Sequence, residues 1–164
     1  MGFVRIIAIG LVALFAASVA ASRVPVEHRV PLAAIVPGAV ETLPFGCTTF
    51  VLEPYDPFCP GLHIHTGVDL AAHAGAPVHA AAAGVVHAGF DPTGAGIYVA
   101  EVVDGHVRLL YCHLWRVLVG AGQIVAPGDV IGEVGATGLT TGAHLHFEVQ
   151  VDGRAVDPVV WLAS

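Results

Sequence analysis

Residues 144–149, His144-Leu145-His146-Phe147-Glu148-Val149, alternate polar and apolar without a break. Successive side chains of a β-strand point to opposite faces. The run can therefore bury Leu145, Phe147 and Val149 together only by presenting His144, His146 and Glu148 together on the other face. A helix would scatter the same residues around its axis. The alternation thus demands a half-buried strand, and it sets two imidazoles where they can converge on one point.

From residue 67 onward the chain repeats this habit in short pieces. Candidate strands are 68–71, 77–80, 84–90, 97–103, 107–113, 130–136 and 144–151, separated by glycine-rich punctuation. Asp104-Gly105 and Asp152-Gly153 read as hairpin turns. Only 114–119 and 158–162 read as short helical pieces. With 164 residues, 55% of them hydrophobic, the chain suits one packed domain and is too apolar for disorder. The fold class expected is all-β, mostly antiparallel, with sheets wrapped toward each other.

Charge narrows the partners. There is no Lys, and the formal charge is -7. A reader of nucleic-acid backbones needs a basic surface, so no nucleic-acid partner is expected. Arg5 precedes an apolar run over 6–21 that ends in small residues, Ser18 to Ser22. This pattern reads as a signal peptide over 1–21, with an uncleaved anchor as the alternative. The run falls short of the ~20 residues a spanning helix needs. Export implies a secreted, periplasmic or wall-associated domain, with transient membrane contact through the signal segment.

Residues 22–59 read as a Pro-rich lead-in, extended over 22–44, together with the Cys47–Cys59 loop, which lies in a loop region over 45–64. Outside the cytoplasm Cys47 and Cys59 are expected to form a disulfide stapling that loop. Cys112 lies in an apolar run and reads as a buried free thiol. A nucleophilic pair with His113 is disfavoured, since neighbours in a strand point apart.

Ten histidines in a chain this short call for an account, and their spacing supplies one. In His65-Thr66-Gly67-Val68-Asp69, an extended backbone puts His65 and Asp69 on one side, and Gly67 permits close approach. With one imidazole from the His144/His146 strand they make a three-ligand set, the kind zinc uses when its fourth position is kept for water. Tyr111 and His113, at the end of another strand, are expected to share a face. Glu148 either makes a surface contact or orients a histidine. His28, His63, His73, His79, His87 and His106 have no comparable partners.

Residues 60–162 resemble the lysostaphin/LytM-type zinc endopeptidases, peptidase family M23, which share a duplicated hybrid motif fold. The likeness is carried by His65-Thr66-Gly67-Val68-Asp69, Tyr111-Cys112-His113-Leu114 and His144-Leu145-His146, in that order, with Gly84-Val85-Val86, Thr137-Gly138, Thr141-Gly142 and Val156-Asp157-Pro158 around them. The resemblance implies a peptidase domain over 60–164. It implies zinc held by His65, Asp69 and His146, with His113 and His144 as catalytic histidines that do not ligate. It further implies a monomeric zinc metalloendopeptidase acting on cross-links or stem peptides of bacterial peptidoglycan. The alternative is a non-catalytic peptidoglycan-binding or hydrolase-activating protein of the same fold.

Overall fold

The computed structural model describes residues 29–164, so the 1–21 segment read as a signal lies outside the described residues. A short helix α1 (Leu32–Ile35) is followed by β1 (Val40–Leu43), β2 (Gly46–Thr48), β3 (His63–His65), β4 (Val68–Ala71), β5 (Pro77–His79), β6 (Gly84–Asp91) and β7 (Gly96–Val102). Then come β8 (Val107–Val117), β9 (Gln123–Val125), β10 (Val130–Val134), β11 (His144–Val151), β12 (Arg154–Val156) and helix α2 (Pro158–Leu162). Ten strands form one antiparallel sheet whose main path runs β1-β4-β11-β8-β7-β6-β9. β5 and β10 continue from the far half of β8, β12 adds to β11, and β2 pairs with β3 separately.

The centre of the sheet obeys the period-two rule. Leu145, Phe147 and Val149 of β11, Val68 and Leu70 of β4, and Leu109 and Tyr111 of β8 are buried in one core. Asp69 and His146 occupy the alternate positions, and the register sets them directly opposite each other. A cross-strand pair brings its Cβ atoms to ~5 Å, near enough for two short polar side chains to share a third partner.

Several expectations need correction. The apolar piece 114–119 is not helical: β8 continues through it to Val117, because β10 supplies a pairing edge there. The lead-in is not merely extended. Val30 bonds to Ala81, α1 buries Ile35, and β1 joins the sheet beside β4. The 45–64 loop region holds β2 and β3. Tyr111 and His113 do not share a face. Between Tyr111 and Leu114 β8 carries one residue more than β7 does between Val99 and Ile97 opposite, and His113 adopts φ 61°. That β-bulge turns His113 out of register while Tyr111 stays in the core.

Both ends of the described chain are tied together. Asp157 caps α2 by accepting the Val159 N–H at 2.8 Å. Arg29 lies 3.9 Å over the Trp161 ring and donates to the Trp161 carbonyl. The Cys47–Cys59 disulfide is formed, and Cys112 is free and buried. No helix among the described residues is long and apolar enough to cross a membrane.

Candidate metal centre

Three donor atoms from three strands meet at the end of the sheet. His65 Nε2 lies 3.1 Å from Asp69 Oδ1 and 3.0 Å from His146 Nδ1, and His146 Nδ1 lies 3.0 Å from Asp69 Oδ1. The approach depends on Gly67. A Cβ there would come within 2.5 Å of the Phe147 carbonyl and 2.8 Å of the His146 ring. No side chain fits, so β3 can turn into β4 tightly against β11 only with glycine at this position.

The surroundings fix which atoms face inward. His65 Nδ1 is 2.9 Å from the Pro44 carbonyl, which can only accept. Nδ1 therefore carries the proton and Nε2 presents its lone pair. On the far side of His146, Nε2 is 3.7 Å from Glu148 Oε2, leaving Nδ1 for the cluster. Glu148 is in turn held by the Thr66 hydroxyl at 2.7 Å. Glu148 thus orients a histidine, a role the sequence left open.

Electrostatics reinforce this arrangement. Burial pushes the Asp69 carboxyl up, but hydrogen bonds from His146 and His65 reverse that and hold it well below the usual carboxylate range. Burial pulls His146 down, while hydrogen bonds to Asp69 and Glu148 outweigh it and raise it to about 9. Two imidazoles and a carboxylate in this packing form a group suited to a divalent ion. Edges near 3 Å would let all three donors reach one ion at bonds of about 2.0–2.2 Å. Binding would displace the proton from His146 Nδ1.

Two further histidines border the group. His113 Nδ1 donates to the Thr137 carbonyl at 2.8 Å, and His144 Nδ1 donates to the Gly142 carbonyl at 2.9 Å. Each therefore has Nδ1 engaged and turns Nε2 away from its carbonyl. His144 Nε2 is 3.6 Å from Asp69 Oδ1, and the His113 and His144 ring centroids are 4.8 Å apart. Burial, with the neighbouring imidazoles adding, pushes His113 down to about 4, so it is neutral at pH 7. The Thr137 carbonyl is itself anchored: the Thr137 hydroxyl donates to the Leu114 carbonyl and accepts the Ile97 N–H.

All five residues singled out in the sequence are thus brought together. Tyr111 is not among them. Its hydroxyl donates to Glu101 Oε2 at 2.6 Å and accepts the Ala81 N–H at 2.7 Å, so it supports the core rather than His113. Cys112 is buried, and burial pushes its thiol up to about 12, which suits it poorly to act as a nucleophile. Of the remaining histidines, His63 is used structurally, with Nδ1 donating to the Glu53 carbonyl at 2.7 Å. The Cys47–Cys59 loop, which precedes the first histidine motif in sequence, rims the cleft, and Leu52 and Glu53, which line it beside His113 and His146, were not singled out from the sequence. No spacing pattern could have found them.

Comparison with known proteins gives concordant results. The family model described as peptidase family M23 matches residues 63–158. A protein of Neisseria meningitidis serogroup B named DD-carboxypeptidase/endopeptidase Mpg is 43% identical over 103 residues, covering 61% of this chain and 24% of that protein. The catalytic domain of lysostaphin from Staphylococcus simulans superposes with a TM-score of 0.68 at 30% identity, covering 84% of this chain and 100% of that one. A zinc-containing peptidase from Vibrio cholerae superposes with a TM-score of 0.67 at 32% identity, covering 80% of this chain and 40% of that one. The chain spans only a fifth to a quarter of the length of the first curated relatives it matches.

Proposed function

Because the chain belongs to peptidase family M23, we propose that it is a zinc metalloendopeptidase that hydrolyses peptide cross-links or stem peptides of bacterial peptidoglycan. The single observation that carries the reading is the grouping of His65 Nε2, Asp69 Oδ1 and His146 Nδ1 within about 3 Å of one another. Relatives named DD-carboxypeptidase/endopeptidase and lysostaphin support the wall peptide as substrate class. Such a substrate sets the working domain outside the cytoplasm.

His65, Asp69 and His146 would hold the zinc, with Pro44 and Glu148 keeping the two rings aimed. When bound there, the ion supplies Lewis-acid polarisation of a water and of the scissile carbonyl. The chain's own work is proton handling. His113 presents a lone pair on Nε2 and His144 leaves its Nε2 free, with Nδ1 of each ring fixed by the Thr137 and Gly142 carbonyls. They orient the attacking water, accept its proton and return a proton to the departing nitrogen. A C–O bond forms, the C–N bond breaks, and the water is divided between the new carboxyl and amine. Once one of the two rings has taken the water's proton, its Nε2–H can donate to the charge developing on the carbonyl oxygen and lower the barrier further.

The test is turbidity clearing of purified peptidoglycan by zinc-loaded protein, with fragments identified by mass spectrometry. New amine and carboxyl termini are expected, with loss of clearing in His113→Ala and His144→Ala. A zinc-loaded wild type that binds peptidoglycan but releases no fragments would establish the non-catalytic alternative instead.

A further inference from the structure

Two cavities meet beside the candidate metal centre. One of ≈ 310 Å³ reaches Thr42 and the 139–144 loop, and the other of ≈ 360 Å³ reaches Thr66 and Thr93. His113 and His146 line both, and so do Leu52 and Glu53 from the disulfide-closed loop. Neither cavity is lined by any Lys or Arg.

Glu53 is not there by looseness of the loop. Its N–H donates to the Phe50 carbonyl at 3.1 Å, its carbonyl accepts from His63 at 2.7 Å, and the next residue's carbonyl accepts the Ile64 N–H at 3.0 Å. The Cys47–Cys59 bridge closes the segment around these bonds. Its carboxylate is half-buried, and among the described residues it has no ion-pair partner. Burial pushes its carboxyl up, against the pull of His65 and His146. A carboxylate held partly out of water with nothing to bind is costly unless a cation arrives.

We propose that Glu53 is a specificity-determining residue that binds a free primary ammonium on the peptide substrate, the unlinked side-chain amine of a diamino acid in the stem. This rests on the hydrolase reading and deepens it. The carboxylate stands within the cleft but outside the three-donor group, so it selects the peptide without taking part in the bond change. With no lysine or arginine in either lining and no ion pair to a histidine, the Glu53 carboxylate is left free for a substrate cation.

The experiment uses soluble muropeptides with direct stem cross-links, whose only free amines are side-chain amines, before and after N-acetylation with acetic anhydride. Cleavage by the zinc-loaded full chain is followed by chromatography and mass spectrometry. Acetylation is expected to raise KM for wild type about tenfold, the effect of losing one charge-assisted hydrogen bond, with kcat little changed. Glu53→Gln is expected to show the raised KM for both substrates, and Glu53→Asp to keep part of the preference. A glycine-bridged muropeptide whose sole free amine is the bridge terminus is expected to gain nothing from Glu53. If it does gain, the side-chain assignment is wrong. The proposal is overturned if wild type cleaves both forms with equal KM, a result that needs no variant to fold. It is also overturned if Glu53→Gln speeds cleavage of every substrate alike, which would make the loop an obstruction. If zinc-loaded wild type cleaves no muropeptide at all, the hydrolase reading itself fails and this proposal falls with it.

Discussion

At Gly67 one hydrogen in place of a side chain decides whether three donors can meet. The hypothetical Cβ stands 2.5 Å from a backbone oxygen and 2.9 Å from His146 Nε2. Backbone cannot yield cheaply, so Gly67→Ala should push β4 away from β11. We expect a loss of about 1–3 kcal/mol in stability, as for other overpacked sites. Zinc affinity should fall at least tenfold, as when the support of a ligand is disturbed. Denaturant melts and chelator competition read the two effects separately. His113 gives the opposite separation. It lies beside the three donors without belonging to them, so His113→Ala should keep bound zinc. Its kcat should fall by about 10²–10⁴, the span of general acid–base catalysis. Metal analysis alongside turnover checks this, and loss of zinc in that variant would move His113 into the ligand set.

Among the elements, the disulfide loop has the clearest separable energetic role. Cys47 and Cys59 are 12 residues apart in sequence. Closing a loop of that length should contribute about 3 kcal/mol by restricting the unfolded chain. The double variant Cys47→Ser/Cys59→Ser should lower the denaturant midpoint accordingly, and an unchanged midpoint would show that the loop's backbone bonds suffice. β11 was legible in the sequence because its alternation has one reading, and β4 and its Asp69 followed from the same rule. The extension of β8 past His113 was not, because six residues, Leu114 to Val119, apolar but for Arg116, carry no period that separates strand from helix. The bulge that aims His113 was invisible for a related reason: one extra residue opposite β7 is a property of the pairing, not of either strand. β9 and β12 have three residues each, too few to show any period. The five residues of the proposed site were singled out from their motifs. Glu53 was not, because only folding brings its loop over the cleft.

For the molecule as a whole, stability has a pH dependence that begins at Glu101. This residue sits mid-sheet on β7, fully buried, with Oε1 unpartnered among the described residues. Burial raises its carboxyl from 4.5 to about 7, against the hydrogen bond from Tyr111. The native protein therefore binds more protons than the unfolded chain between those values. Stability from this group is full below pH 4.5 and is lost as pH rises through 7. The shift corresponds to about 3 kcal/mol. Metal-free wild type should lose about that much more stability than Glu101→Gln between pH 5 and pH 8, read by denaturant melts at each pH. Parallel profiles would place the proton elsewhere. The sheet that carries this burden also holds β4 and β11 in register, and the account of function stands on that register. Its most direct test is anomalous diffraction at the zinc edge from crystals of the zinc-loaded chain. The account predicts one strong peak about 2.0–2.2 Å from each of His65 Nε2, Asp69 Oδ1 and His146 Nδ1. A peak ligated by other residues, or no peak beside these three in crystals shown to contain zinc, would contradict it.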